Sequence, residues 1–136
     1  MRFITRDTDY ALRAMVLMAR ALRQEGRKVF TVEEIVLEEK LPKVFLRRIL
    51  QKLAEKNMLL SYKGKSGGFS FLVKPARISI ANVIRVFQGE IELTNCLLKG
   101  KICPNRPECK IRKKIKALNS RVVKDLENIN IEELSE

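Results

Sequence analysis

The sequence has no histidine and no tryptophan, and aromatic residues make up only 6% of its 136 residues. Because histidine is the commonest general base and metal ligand, its absence argues against ordinary hydrolases and dehydrogenases. No apolar run is long enough for a signal peptide or a membrane-spanning helix. We therefore expect a cytoplasmic protein that has no membrane partner and is not an enzyme.

Acidic residues are also scarce, with 16 Asp and Glu against 28 Lys and Arg, and the net charge is +12. Taken alone, an excess of this size indicates a polyanionic partner, nucleic acid or a membrane surface, and of the two we expect nucleic acid. The length suits a single folded unit that buries enough apolar surface to be stable without disulfide bonds.

All three cysteines, Cys96, Cys103 and Cys109, fall within residues 95–110, with six and then five residues between them. We call this stretch the cysteine segment. A glycine and two prolines inside it exclude regular helix or strand. An odd number of cysteines argues against a disulfide framework, so the segment predicts a metal site or redox chemistry. The alternative of three small buried hydrophobic residues fits poorly with the cations around them.

Apolar periodicity predicts a mainly α-helical fold with a small β-hairpin. Helices are predicted over residues 7–24, 31–40, 42–57, 80–88 and 110–128, and strands over 59–62 and 69–73. The short connection between the second and third helices predicts a helix-turn-helix, and the hairpin that follows would be its wing.

Capping residues support the predicted helix boundaries. Polar residues 7–9 are expected to cap the first helix, and Thr31 with Glu34 forms a capping box at the second. Pro42 suits the first turn of the third helix, and Ser79 is expected to cap the fourth.

The third helix and the hairpin are strongly basic. Between residues 41 and 77 there are nine basic residues and one acidic residue. A surface made only for solubility would mix the signs, so we predict nucleic-acid binding rather than a merely solvated face. Arg47 and Arg48 are candidates for base edges in the major groove. The candidates for phosphate contacts are Lys43, Lys52, Lys63 and Lys65.

The tip of the hairpin carries Lys63 and Lys65 together with three glycines, Gly64, Gly67 and Gly68. Glycines supply positive-φ conformations at a tip and allow close approach of backbone to a phosphate. We therefore favour a wing that straddles a DNA backbone over a plain hairpin.

The last predicted helix has apolar residues at steps of three and four positions, a spacing typical of a coiled-coil contact. These residues are Ile111, Ile115, Leu118, Val122, Leu126 and Ile129. We predict that this helix pairs with the same helix of a second copy. Packing back onto its own domain is the alternative.

The order of helix, helix-turn-helix, glycine-tipped wing, helix, cysteine segment and long helix resembles the iron–sulfur-cluster regulator family of winged-helix transcription repressors, the IscR/NsrR type. Three features carry the resemblance: the opening MRFITRDTDYALRAM, the wing YKGKSGGF and the three cysteines. Together they cover nearly the whole chain.

The resemblance implies a homodimer that binds palindromic double-stranded promoter DNA. It also implies that Cys96, Cys103 and Cys109 hold a [2Fe–2S] or [4Fe–4S] cluster whose state sets the affinity for DNA. The histidine that serves some members as fourth ligand is absent here. The resemblance to nitric-oxide-sensing members points instead to Asp9, with Glu108 as the rival. Stabilisation of the first helix is the alternative role of Asp9.

The chain thus divides into a predicted winged helix-turn-helix DNA-binding domain (1–88), a cluster-binding loop (89–109) and a dimerisation helix with its tail (110–136). The predicted function is that of a dimeric transcriptional regulator controlled by the cluster. The alternative is a winged-helix regulator that acts as a cluster-free thiol/disulfide switch. A zinc-stabilised binder and an electron carrier fit less well, because zinc ligands pair more closely and an electron carrier needs no basic helix.

Overall fold

The computed structural model describes residues 3–65, 67–93 and 108–136. The helices are α1 (Arg6–Glu25), α2 (Val32–Glu39), α3 (Lys43–Glu55), α4 (Ile80–Gln88), α5 (Lys110–Asn128) and α6 (Ile131–Leu134). The strands are β1 (Leu59–Tyr62) and β2 (Gly68–Phe71), and a 3₁₀ turn follows at Pro75–Arg77. The predicted mainly α-helical fold with a small hairpin is confirmed.

Most helix ends lie at the predicted capping residues. At α2 the backbone N–H of Glu34 donates to Thr31 Oγ1 (3.2 Å), and the Glu34 carboxylate accepts from the backbone N–H of Thr31 (3.0 Å). Ser79 caps α4 as predicted. The predicted cap of α1 was wrong, because Thr5, two residues before Asp7, provides the cap, and the helix begins at Arg6. Pro42 is the residue just before α3 rather than its first residue.

The main core lies between α1, α3, the hairpin and the chain's C-terminal residues. From α1 it receives small and flexible side chains, including Ala11, Ala14, Met15 and Met18. Small residues let helices approach closely, and α1 packs against α2, α3, α4 and α6. This central position of α1 fixes the helix-turn-helix relative to the C-terminal half of the chain.

Two of the wing glycines are required by the packing of the protein itself. β1 and β2 pair antiparallel, and Phe30 pairs with Phe69 through two backbone hydrogen bonds of 2.8 Å. A Cβ on Gly68 would lie 2.4 Å from the carbonyl oxygen of Phe30, and one on Gly67 would lie 2.5 Å from that of Tyr62. Of the three tip glycines, Gly64 has the positive φ, at 97°.

The C-terminal end of α5 is joined to the winged half by backbone pairing that the sequence did not predict. Ile80 N–H donates to the Ile129 carbonyl (2.9 Å), and Ile131 N–H donates to the Ile78 carbonyl (2.9 Å). Ile131, the first residue of α6, is fully buried in the main core. The Arg23 guanidinium of α1 donates to the carbonyl of Ser135 (2.5 Å). The first residue of α6 is therefore paired with Ile78, and Ser135, which follows α6, is bound by α1.

The two halves of α5 differ in their surroundings. Towards the C-terminus, Val123 and Leu126 pack on a small cluster formed by Ala81, Ile84 and Ile91. Nearer the N-terminus, Ile111 is 76% exposed and Leu118 is 42% exposed. The helix thus packs back onto its own domain at one end and leaves apolar residues uncovered at the other.

No helix within the described ranges combines the length and the apolar character needed to cross a membrane.

Candidate nucleic-acid interface

The amphipathic character of α3 separates its buried side from its basic side. Leu46, Ile49, Leu50 and Leu53 are at most 1% exposed, and they hold the helix against the core. Lys43, Arg47 and Arg48 lie on the other side with their side chains more than half exposed. We call these three residues the cationic face. The structure brings together these three of the six predicted DNA-binding residues on one helix surface.

Carboxylates from the two preceding helices hold the cationic face in place. Glu33 of α2 accepts from the Lys43 ammonium at 2.9 Å and lies 3.6 Å from the Arg47 guanidinium. Asp7 of α1 accepts from the Arg48 guanidinium at 3.2 Å. The hydrogen bond from Lys43 is the main cause that lowers the pKa of Glu33 below the ordinary carboxyl value. The Glu33 carboxylate is therefore ionised at neutral pH, beside Lys43 and Arg47.

Phe45 orients the arginines beside it. Its ring is partly buried, with the guanidinium of Arg6 5.0 Å and that of Arg48 5.4 Å from the ring centroid. Such cation–π contacts restrict where a guanidinium can point. Sequence reasoning missed Arg6 because it precedes the predicted helix and meets α3 only in the folded chain.

The remaining predicted phosphate contacts lie elsewhere. The Lys52 ammonium lies 5.4 Å from the ring centroid of Phe87, so it faces α4. Lys63 and Lys65 are exposed at the tip of the wing. The cationic face and the wing are thus separate basic surfaces on the same winged unit.

The N-terminus of α1 is fastened to the end of α4 by Gln88. The Gln88 carbonyl oxygen accepts from the Thr5 backbone (3.0 Å) and from the buried Thr8 hydroxyl (2.7 Å). Its amide nitrogen donates to the carbonyl of Phe3 (3.1 Å). Asp7, which binds Arg48, lies between the two threonines. The Asp7–Arg48 ion pair therefore connects α3 to a helix start that Gln88 of α4 holds in place.

Of the predicted metal ligands, Cys109, Asp9 and the rival Glu108 lie in the described part of the chain, whereas Cys96 and Cys103 lie outside it. Cys109 precedes α5, and its sulfur accepts from the backbone N–H of Arg112 (3.4 Å). Asp9 binds Arg13 of the same helix (2.9 Å), which raises the pKa of that guanidinium. Among the residues described, no three metal-binding side chains converge.

The residues that lead into the cysteine segment are attached to α5. The Asn119 side chain accepts from the backbone N–H of Leu93 (2.8 Å) and donates to the carbonyl of Ile91 (3.0 Å). Arg85 of α4 binds Glu127 at 2.8 Å, and this contact raises the pKa of Arg85. Both α4 and residues 91–93 are therefore attached to α5.

A helix-turn-helix with a basic second helix and a lysine-tipped wing defines a winged-helix DNA-binding regulator. Residues 4–136 match the model of the Rrf2 family, described as an iron-dependent transcriptional regulator. The chain belongs to this family and is a transcriptional regulator.

Curated relatives agree with this assignment. An rrf2-like HTH-type transcriptional regulator of Rhodobacter capsulatus is 34% identical over 81% of this chain and 77% of its own length. The HTH-type transcriptional regulator NsrR of Oceanobacillus iheyensis is 29% identical over 93% of this chain and 85% of its own length.

Solved structures share the fold. The global cysteine regulator CymR of B. subtilis matches with a TM-score of 0.77 and 23% identity, over 99% of this chain and 97% of that one. T. potens IscR matches with a TM-score of 0.72 and 16% identity, over 96% and 84%. At these identities the similarity supports the winged-helix architecture alone.

Removing the Glu33 carboxylate is expected to strengthen binding to DNA of any sequence severalfold. Glu33→Gln frees Lys43 and Arg47 and removes one negative charge beside them. Affinity for a random duplex is measured by fluorescence anisotropy at fixed salt. Glu38→Gln removes the same charge from an exposed position on α2 and serves as the control. Equal gains in both variants would mean that overall charge, and not the ion pairs of Glu33, limits binding.

Proposed function

We propose that the chain binds palindromic double-stranded promoter DNA as a homodimer, with residues 1–88 as the DNA-binding domain. α3 enters the major groove, and the wing lysines contact the phosphate backbone. The observation that carries this proposal is the cationic face, which is exposed on the helix that follows the turn of the helix-turn-helix. Recognition helices occupy this place in such domains.

The start of α3 supports the same orientation. Within the described chain, α1, α2, α4 and α5 begin with a side chain that accepts a backbone N–H, whereas Pro42 gives α3 no such cap. The first turn of α3 also has no acidic residue. Free N–H groups and the positive end of the helix dipole favour a DNA phosphate at this end.

Arg47→Ala is expected to weaken binding to the cognate site by about 1–3 kcal/mol and to relax its sequence preference, because bidentate contact with guanine is lost. Arg47→Lys keeps the charge and should retain binding to random DNA while losing most of the preference. Dissociation constants on cognate and random duplexes across a salt series give both quantities.

Changes to alanine at Lys63 and Lys65 provide the contrast for Arg47. Loss of a phosphate contact weakens all sequences alike and lowers the salt slope by about 1 per lysine. If Arg47→Ala weakens cognate and random DNA equally, Arg47 is a phosphate contact and the assignment to base readout is wrong.

The homodimer is proposed to form through α5. The exposed apolar residues Ile111 and Leu118 lie on one face of a helix that is anchored at its other end. Two copies that bury this face would present two recognition helices to the two halves of a palindrome. The interface is proposed to consist of Ile111, Ile115, Leu118, Val122 and Leu126, the last of which also packs on its own domain.

Leu118→Asp is expected to convert the dimer to monomers, because it places an unpaired charge in the interface at a cost of about 3–5 kcal/mol. Ser120→Asp adds the same charge two residues along, on another side of the helix, and should remain dimeric. Sedimentation velocity measures both variants. A dimeric Leu118→Asp protein would place the interface elsewhere.

The cysteine segment is proposed to hold an iron–sulfur cluster that controls DNA binding. Three thiols are soft ligands that suit such clusters, and the sulfur of Cys109 accepts a backbone N–H at the start of α5. Lys110, Arg112 and Lys113 follow Cys109 and make the start of α5 strongly basic. Cys96, Cys103 and Cys109 would be ligands, and the cluster would supply sensitivity to redox state or to small reactive molecules.

The second candidate is a cluster-free thiol/disulfide switch in the same segment. Three cysteines within 14 residues allow one pair to oxidise without distant chain movement. The absorption spectrum of anaerobically purified protein separates the candidates: a cluster gives a coloured protein with charge-transfer bands, and a thiol switch gives a colourless one.

Asp9 is proposed as the fourth ligand. Its carboxylate is about half exposed, so a second subunit can reach it, and a cluster iron would have to displace Arg13 from it. Asp9→Ala is expected to make the cluster labile or to change its spectrum while the protein stays folded and dimeric.

DNA titrations of cluster-loaded and cluster-free wild-type protein should give binding free energies that differ by about 1–3 kcal/mol.

Glu108→Ala provides the comparison for Asp9. An unchanged spectrum in Asp9→Ala together with an altered one in Glu108→Ala would transfer the role to Glu108. Identical DNA affinities with and without the cluster would leave the cluster without a regulatory role.

A further inference from the structure

Val44, the second residue of α3, exposes a valine side chain to solvent in the middle of the cationic face. It is 81% exposed, the highest value among the large hydrophobic residues of the described chain. Lys43 precedes it, and Arg47 and Arg48 follow at three and four residues, which places them on the same helix surface. At this exposure the side chain adds little to the stability of the fold.

The ion pairs of the cationic face explain why Val44 stays uncovered. Glu33 draws Lys43 and Arg47 towards α2, and Asp7 draws Arg48 towards α1. The long side chains that could fold over the valine are therefore held to either side of it. An apolar surface remains between guanidinium and ammonium groups, and it is available to whatever α3 contacts.

Val44 cannot bind a phosphate or hydrogen-bond a base edge. The N-terminal residues of a recognition helix meet base edges in the major groove, and the apolar group exposed there is the C5-methyl of thymine. We propose that Val44 contacts a thymine methyl in each half-site and so determines part of the sequence preference. The inference rests on the proposed function of α3 as the recognition helix.

Docking of another protein on this valine is the competing explanation. Leu37 of α2 is 79% exposed and is also apolar. However, lysine is depleted at protein–protein interfaces, where arginine is the favoured cation, and Lys43 lies directly beside Val44. A basic surface with an apolar centre matches the phosphates and methyl groups of a DNA groove better.

The test removes the methyl group from the DNA and the side chain from the protein. A preferred palindrome is first selected from a random duplex library with the wild-type protein. Each symmetric pair of thymines is then replaced by deoxyuridine, which lacks only the C5-methyl, and dissociation constants are measured. At one pair of positions the wild type should lose about fourfold affinity per half-site, the value expected for one buried methyl group.

Val44→Ala should bind the thymine duplex less tightly and should no longer distinguish it from the deoxyuridine duplex at that position. Leu37→Ala removes an equally exposed apolar side chain from α2 and should keep the wild-type discrimination. The pair of protein and DNA changes forms a double-mutant cycle, in which a coupling confined to Val44 identifies the contact.

The inference is overturned if the ratio of dissociation constants for the thymine and deoxyuridine duplexes is the same in Val44→Ala and wild type at every position. Protein docking would then be the role of this valine. A wild-type protein that ignores every methyl group also overturns it. Loss of site preference in Arg47→Ala under either outcome shows that the recognition helix is still correctly assigned. A wild-type protein that selects no duplex overturns the proposed function and the inference together.

Discussion

The backbone pairing of residues 78–80 with residues 129–131 is the contact on which the relation between the two halves of the chain depends. This pairing joins the segment that follows the wing to the residues that follow α5, and it places Ile131 in the core of the winged half. A 19-residue helix is about 28 Å long. Among the described residues, those that pack on α5 meet its C-terminal part, so the core fixes the direction in which α5 carries its exposed N-terminal residues.

The ion pairs of the cationic face order its basic side chains but reduce its positive potential. Exposed ion pairs contribute little to stability, so the pairs of Glu33 and Asp7 are not what holds α3 in place. The buried leucines and isoleucine of α3 do that. The pairs instead restrict the basic side chains before any ligand arrives, and they lower the positive potential at the helix. A face arranged in this way gives up some general attraction for polyanions and keeps its side chains ordered.

Local signals in the sequence were sufficient for most of the fold, because a cap acts within four residues. The capping boxes at Thr31 and Ser79 are of this kind. The cap at Thr5 was missed although its hydrogen bond from the Thr8 N–H is local, because the polar residues 7–9 offered competing caps. The short helix α6 was missed because it depends on Ile78, more than 50 residues away. The basic side of α3 followed from helical periodicity. Its carboxylate partners could not, because they come from other helices.

The attachments at the two ends of the cysteine segment limit how it can act. Asn119 holds residues 91–93 against α5, and Cys109 leads into the first turn of the same helix. The two attachment points are ten residues apart, which is about 15 Å along the helix axis. A rearrangement that changes the distance between them must break the Asn119 hydrogen bonds or unwind the first turn of α5. Among the described residues, α5 and the end of α4 are the elements through which such a rearrangement would reach the winged half.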